Sequence, residues 1–386
     1  MAALAPAVAA VRAALRATFA SVPPGVVLVA CSGGADSLAL AAGTAFVAPR
    51  SGFSAGLVTV DHQLQPGSAD QARAVSAWAR GVGLDPVVVE TVEVSGRSGG
   101  PEAAAREARY EALVRAARRH GAGTVLLGHT LDDQAETVLL ALVRGAGPRG
   151  LAGMPVRRDV DGVALIRPLL EVSRAQTQAA CAALDLPVWC DPHNADPAYR
   201  RVRARALLAS LTESLGPAVA ANLARTAGLL AADARALDAV SLQVLAAAGD
   251  GAELAVSLLA AQPDAIRTRI LHAWARSLGV SGSALSSRHV AALDALVMRW
   301  HGQGPTHLPG GIEVTRRGGR LHGRPAPDGQ VPGSPGPDGR VHDGPGPDGR
   351  VHDGVAPGRS ASRGGDTPTA MGVTITDEAG LSDGRG

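Results

Sequence analysis

VVLVACSGGADSLALAAGTAFV, residues 26–47, is the stretch that decides the fold. Val26–Cys31 is an unbroken apolar run rich in valine, the pattern of a strand buried on both faces. SGGADS (Ser32–Ser37) follows at once and opens a helix-like segment, Asp36–Val47. Two glycines let backbone N–H groups come close to a ligand, and a helix N-terminus favours an anion. Ser32 and Ser37 add hydroxyl donors for phosphate oxygens, and Asp36 suits a Mg²⁺ bridging to them. A Gly-Gly turn whose Asp and Ser only cap a helix has the same letters. The place straight after a buried first strand favours the phosphate cradle.

Outward from this stretch, Gly56–Val60, Val87–Val92 and Thr124–Gly128 read as further buried strands. Ser68–Gly81 and Pro101–His120 read as helices between them, the second opening on proline and stopping at Gly121. Strands alternating with helices predict an α/β fold with a doubly wound parallel sheet. Such sheets bind ligands beyond the carboxyl ends of their strands. VDHQLQPGS (Val60–Ser68) lies at one such edge, where Val60 and Asp61 could meet a base or ribose; Asp61 and His62 could equally just end the strand. LGHTLDDQAETVLLALVRG (Leu127–Gly145) lies at another. Gly128 and His129 leave the strand there, and Asp132, Asp133 and Glu136 cluster on the first turns of the next helix. Three carboxylates at a ligand edge could hold a metal or a cationic amine. The helix dipole accounts for acidic residues in a first turn, but not for the preceding Gly and His. Arg106 and Arg109 share one helix, and Arg201, Arg203 and Arg205 follow DPHNADP. The planar fork of arginine suits phosphates, so both groups are candidates for nucleic-acid backbone contact, although the Arg106 and Arg109 helix could equally present a solvated basic face.

The 37 basic residues are all arginine, against 35 acidic ones. The lack of lysine excludes a Walker lysine and a Schiff base. Three cysteines, Cys31, Cys181 and Cys190, form no CxxC pair, which argues against a disulfide framework, a zinc ribbon or an iron–sulfur cluster. No apolar run approaches a membrane span, and Arg12 and Arg16 turn the Ala-rich start into an amphipathic helix rather than a signal peptide. A cytoplasmic protein is expected.

With 386 residues the chain has room for two domains. Residues 1–211 form the expected nucleotide-binding part. From 212 to 322 the period is helical in Pro217–Ala246, Ala252–Leu278 and Ser286–Trp300, with no convincing strand until a hairpin in His307–Leu321. Residues 323–386 repeat PGPDGRVHDG and hold 16 Gly, with six Arg against nine acidic residues, a charge of −3. Too little apolar surface is left there to offset chain entropy, so a disordered tail is expected. The whole chain's +2 then places +5 on residues 1–322.

In order, SGGADS, VDHQLQPGS, EAAAREARY, LGHTLDDQAET, RGLAGM, RPLLEVSR and DPHNADPAYRRVRAR resemble the tRNA(Ile)-lysidine synthases of the PP-loop superfamily. PDAIRTRILHAW and LPGGIEVTRR extend the resemblance, which covers about residues 5–322 and matches the family's shorter form. It implies that ATP adenylates the C2 oxygen of the wobble cytidine in a CAU-anticodon isoleucine tRNA, and that free L-lysine then displaces AMP. It assigns Ser32, Gly33, Gly34, Ala35, Asp36, Ser37, Val60, Asp61, Gly128 and His129 to ATP. It assigns Asp36 and Asp133 to Mg²⁺, and Asp36, Arg109, His129, Asp133, Glu136 and Arg205 to the reaction. Arg106, Arg201, Arg203 and Arg205 fall to tRNA. No redox cofactor is implied, and a homodimer is compatible. Gln63 and Gln65 replace the family's usual Gly and Arg, and Val202 replaces Asn. A PP-loop thiolation enzyme needs cysteines this chain lacks, and amidation needs a glutaminase nucleophile that is not evident. A silent nucleotide- or tRNA-binding module would not need Asp36, His129, Asp133 and Glu136 together.

Overall fold

The computed structural model describes residues 4–61, 63, 67–92, 101–189, 196, 198–249, 251–282 and 284–325, without the side chains of 101–105 and 325. His62, Gln65, Cys190, most of DPHNADP and the repeats after 325 lie outside these residues.

The amphipathic start is a helix, α1 (Pro6–Ala20), which buries Val8, Val11, Leu15 and Phe19. Then β1 (Val26–Ala30), α2 (Ala35–Val47), β2 (Ser54–Asp61), α3 (Ser68–Gly81), β3 (Val87–Thr91), α4 (Pro101–Arg119) and β4 (Ala122–Leu127) follow in the expected alternation. Next come α5 (Leu131–Val143), the single turn α6 (Pro148–Leu151), β5 (Arg157–Val160), β6 (Val163–Ile166) and α7 (Arg174–Ala183).

The sheet order is β3-β2-β1-β4-β6-β5. All neighbours are parallel except β5, which runs antiparallel to β6 at the edge. The chain winds outward from β1 through β2 and β3, then returns to lay β4 on the other side of β1. That reversal opens a crevice at the carboxyl ends of β1 and β4, the usual ligand position in such sheets. Leu28, Val29, Leu57, Val58, Val125 and Leu126 are fully buried, as strands covered by helices on both faces require. The β5–β6 hairpin was not among the expected strands. Its turn is Asp161–Gly162, both at positive φ (49° and 82°), the Asp-Gly signal of a two-residue hairpin.

α8 (Arg200–Leu215) runs unbroken through residue 211, so the expected division at 211/212 falls inside a helix. α9 (Val219–Ala248) packs against α5, α6 and α11 (Asp264–Ser277) within one compact unit. Asp238 of α9 pairs with Arg149 of α6 and stands 3.0 Å from Arg269 of α11. The rest of this part comprises β7 (Glu253–Ala255), α10 (Val256–Ala260), α12 (Ser287–Met298), β8 (Thr306–Leu308), β9 (Ile312–Arg317) and β10 (Arg320–Pro325). The mainly helical expectation gains an antiparallel sheet of order β7-β10-β9-β8. The hairpin expected in His307–Leu321 covers β8, β9 and the start of β10, which runs on to Pro325 past the expected start of the disordered tail at 323; β7, inside a stretch read as helical, was not expected. Trp274, Ile270, Leu271, Leu293, Leu296, Val314 and Leu321 form the core between helices and sheet. Among the described residues, no helix is long and apolar enough to cross a membrane.

Candidate active site

The loop after β1 closes on itself through Ser37. Its hydroxyl accepts the Ser32 N–H at 3.2 Å and donates to the Gly34 carbonyl at 2.9 Å. Gly33 sits at φ +88°, and a Cβ there would come within 2.2 Å of Gln71 Nε2. The loop after β4 presses on the same turn: a Cβ on Gly128 would lie 3.1 Å from both the N and Cα of Ser37. Two glycines therefore let the chain fold a tight cradle at the mouth of the crevice. Val60 is half-buried and Asp61 buried at the end of β2. The Asp61 carboxylate accepts the Gln63 N–H at 2.9 Å and so shapes the turn leaving the strand.

The carboxylates lie on the other flank. Thr130 caps α5 in a reciprocal box: its N–H donates to Asp133 Oδ2 at 2.8 Å, its hydroxyl to the same oxygen at 3.0 Å. Asp133 Oδ1 accepts Arg174 Nη2 at 2.8 Å, while Arg174 Nη1 donates to Glu136 Oε1 at 3.2 Å. Arg174 Nε stands 3.6 Å from Asp36 Oδ2, and its backbone N–H donates to Asp132 Oδ2 at 2.7 Å. Asp36 also accepts a hydrogen bond from the Thr177 hydroxyl. Arg205 Nε donates to Glu136 Oε1 at 3.0 Å. The second oxygen of Glu136 is buried without a partner. Burial pushes the Asp36 carboxyl up, against Thr177 and Arg174. Asp133 feels the same burial, yet Arg174 and the Thr130 bonds hold it below the usual range.

A basic wall faces this cluster across His129. Burial, reinforced by the charges of Arg109, Arg167 and Arg201, pushes the His129 imidazole down to about 3, so the ring is neutral at neutral pH. Its Nδ1 is buried and unpartnered. The Tyr110 hydroxyl accepts from Arg106 at 3.2 Å and Arg167 at 3.4 Å. Burial alone would raise that phenol; the two guanidiniums lower it. Burial also lowers the Arg106 and Arg109 guanidiniums, and Arg201 adds to the effect on both.

The expected site residues thus fall into three groups: Ser32–Ser37 with Gly128; Asp36, Asp133, Glu136 and Arg205; and Arg106, Arg109, Arg201 with His129. Arg205 turns into the carboxylates, and Arg203 donates to the Ala198 carbonyl at 3.0 Å. Val202 precedes it on α8. Arg174, Arg167 and Thr177 were not singled out from the sequence. A signal existed for two of them: Arg167 leaves the end of β6, and Arg174 follows the Ser173 cap at the same sheet edge.

As for what can bind, the cradle offers glycine backbone and a helix N-terminus to an anion, which fits a nucleoside triphosphate. Among the described residues, no three His, Cys, Asp or Glu side chains stand so as to hold a metal by themselves. Both Asp133 oxygens are taken by Thr130 and Arg174. Asp36 is similarly engaged, its Oδ1 by the Thr177 hydroxyl and its Oδ2 at 3.6 Å from Arg174 Nε.

The PP-loop domain family matches residues 8–211, and the TilS substrate binding domain family matches residues 254–322. A tRNA(Ile)-lysidine synthase of Salinispora tropica is 64% identical over 328 residues, covering 83% of this chain and 97% of the relative. Enzymes of the same name from Streptomyces coelicolor (53% identical, covering 77% and 84%) and Thermobifida fusca (51% identical, covering 84% and 97%) are also similar.

Proposed function

Because the chain belongs to the tRNA(Ile)-lysidine synthase family, we propose that it joins free L-lysine to the wobble cytidine of a CAU-anticodon isoleucine tRNA at the expense of ATP. The observation that carries this reading is the meeting of two loops. Gly128 packs on Ser37, which brings a phosphate cradle and the carboxylates of α5 to one crevice.

The Ser32–Ser37 loop and the N-terminus of α2 hold the triphosphate, with Val60, Asp61, Gly128 and His129 about the adenosine. Asp36 would hold a Mg²⁺ entering with ATP, which would supply charge neutralisation at the phosphates. The cytidine C2 oxygen attacks the α-phosphorus and pyrophosphate leaves, which turns a poor leaving oxygen into a good one. Asp133 and Glu136 receive the ε-ammonium of lysine, charge matched to charge. Once a proton passes to a carboxylate, the amine attacks C2, the C2–O bond breaks and AMP leaves. Arg109 and neutral His129 line the reacting centre, while Arg106, Arg201 and Arg203 face the tRNA backbone. Most of the acceleration expected here comes from positioning two substrates and from fixed charges at the phosphates.

The test is labelled-lysine incorporation into an unmodified CAU-anticodon isoleucine transcript with Mg-ATP, beside a transcript with uridine at the wobble position. Incorporation into the first alone is expected. Pyrophosphate release without lysine incorporation would refute the choice of nucleophile or of tRNA. Silence in both would make the protein a binding module.

A further inference from the structure

The Arg174 side chain touches carboxylates from both flanks of the crevice. Its three nitrogens reach three different acids: Nε toward Asp36 at 3.6 Å, Nη2 to Asp133 at 2.8 Å, and Nη1 to Glu136 at 3.2 Å. Asp36 belongs to the nucleotide loop, whereas Asp133 and Glu136 belong to α5. The guanidinium is itself held. Its backbone N–H is fixed on Asp132 at 2.7 Å, and Ser173 and Gln176 form a capping box that sets the first turn of α7. Its side chain is only 19% exposed. Without it, three like charges would face one another across a largely dry space and repel.

A second observation gives this arrangement direction. Both cations near Glu136, Arg174 and Arg205, bond the same oxygen, Oε1, at 3.2 and 3.0 Å. Oε2 is buried and has no partner. A carboxylate pinned by one oxygen keeps a fixed orientation and one unmatched acceptor, an arrangement that favours a further cation.

We propose that Arg174 is a positioning residue for the reaction, tying the nucleotide-side carboxylate Asp36 to the amine-side carboxylates Asp133 and Glu136 at a fixed separation and turning Glu136 toward the incoming ammonium. This assignment rests on the proposed lysine transfer. Planarity is the reason for arginine: a guanidinium addresses separate acceptors along divergent N–H directions, which a lysine ammonium on a flexible stem does not reproduce.

The experiment compares wild type, Arg174→Lys and Arg174→Ala in the full chain. For each it measures kcat and KM for lysine incorporation, pyrophosphate release without lysine, and the melting temperature. In Arg174→Ala we expect kcat to fall about a hundredfold, the effect of a displacement near 1 Å at a reacting centre, with a raised KM for lysine. Guanidinium chloride, well below denaturing concentration, should restore part of the activity, and Arg174→Lys should lie between. Unchanged kcat and KM in Arg174→Ala would overturn the assignment. So would a loss matched by a fall in melting temperature that neither guanidinium nor the Arg174→Lys substitution repairs, since that marks a strut of the fold. A wild-type protein that released pyrophosphate but took up no lysine would instead sink the proposed function. The same variants would then decide on Arg174 through pyrophosphate release, which depends on Asp36.

Discussion

Gln134 and Met154 hold each other by two hydrogen bonds: the Gln134 Oε1 accepts the Met154 N–H at 2.7 Å, and its Nε2 donates to the Met154 carbonyl at 3.1 Å. A side-chain amide thus plays the part of a neighbouring strand for a loop that has none. The contact ties LDDQAET to RGLAGM, since the glutamine of one supplies the backbone partner of the other. Gly153 leaves room for it, because a Cβ there would come within 2.6 Å of the Gln134 amide. Gln134→Leu keeps the bulk and removes both bonds, leaving two buried backbone groups unmatched at about 1 to 3 kcal/mol each. A drop of about 2 to 6 kcal/mol in urea unfolding is expected. An unchanged midpoint would mean that the loop finds water instead.

Gly128 packs against the backbone of the nucleotide loop, with Ser37 N and Cα 3.1 Å and Asp36 C 3.2 Å from where a Cβ would sit. Backbone has no rotamer with which to give way. Gly128→Ala should therefore move the cradle by a few tenths of an ångström and cost about tenfold in kcat/KM for ATP. The melting temperature should change little, because the loop lies at the rim of the crevice rather than in the core. Titrating ATP in a pyrophosphate-release assay reads the effect. A variant with wild-type kcat/KM would show that the two loops part freely on binding.

These two contacts also mark how far the sequence could be read. The strand–SGGADS–helix unit and the LGHTLDDQ turn announce themselves because local chemistry, buried valines followed by glycines and acids, determines local shape. Arg174 closes the RPLLEVSR motif, but its partners could not be read from it. Its role exists only because α7 returns to the sheet edge beside α2 and α5, and nothing in VSRAQ states that three carboxylates will be waiting. Arg205 illustrates the converse: in a basic run it reads as a phosphate ligand, yet its helix turns it onto Glu136 at 3.0 Å. The β5–β6 hairpin carried a legible Asp161–Gly162 turn, whereas β7, Glu253–Ala255, is too short for any period to show. Its pairing with β10 comes from tertiary contact.

Arg267, in the PDAIRTRILHAW stretch, is built into the fold of the second part. Its side chain is 5% exposed, and it bonds Asp294 at 2.6 Å, Asp264 at 2.5 Å and the Gln262 carbonyl at 2.7 Å. Burying a guanidinium is tolerable only with every partner in place. Arg267→Ala should cost about 3 kcal/mol, mostly because Asp294 is left without its counter-ion. Arg267→Ala combined with Asp294→Leu should recover part of that loss. Thermal unfolding of the single and double variants tests this. A double variant no better than the single would place the energy in the Asp264 and Gln262 contacts.

His129 makes a prediction whose sign follows from its surroundings. Burial and the nearby arginines push its imidazole from an ordinary 6.5 down to about 3. Between those two values the unfolded chain takes up a proton that the folded chain refuses. Folding is therefore undisturbed by this group above about pH 6.5, and is progressively weakened by it as the pH falls toward 3. Other groups titrate in the same range, so the comparison must be made against a variant that cannot take the proton. His129→Gln keeps a hydrogen-bonding side chain and abolishes the titration. Melting temperatures at pH 7 and pH 5 should fall further for the wild type than for His129→Gln. Equal falls would mean that the ring protonates as freely in the folded protein as in water, and the neutral imidazole assigned to the reacting centre would then be wrong.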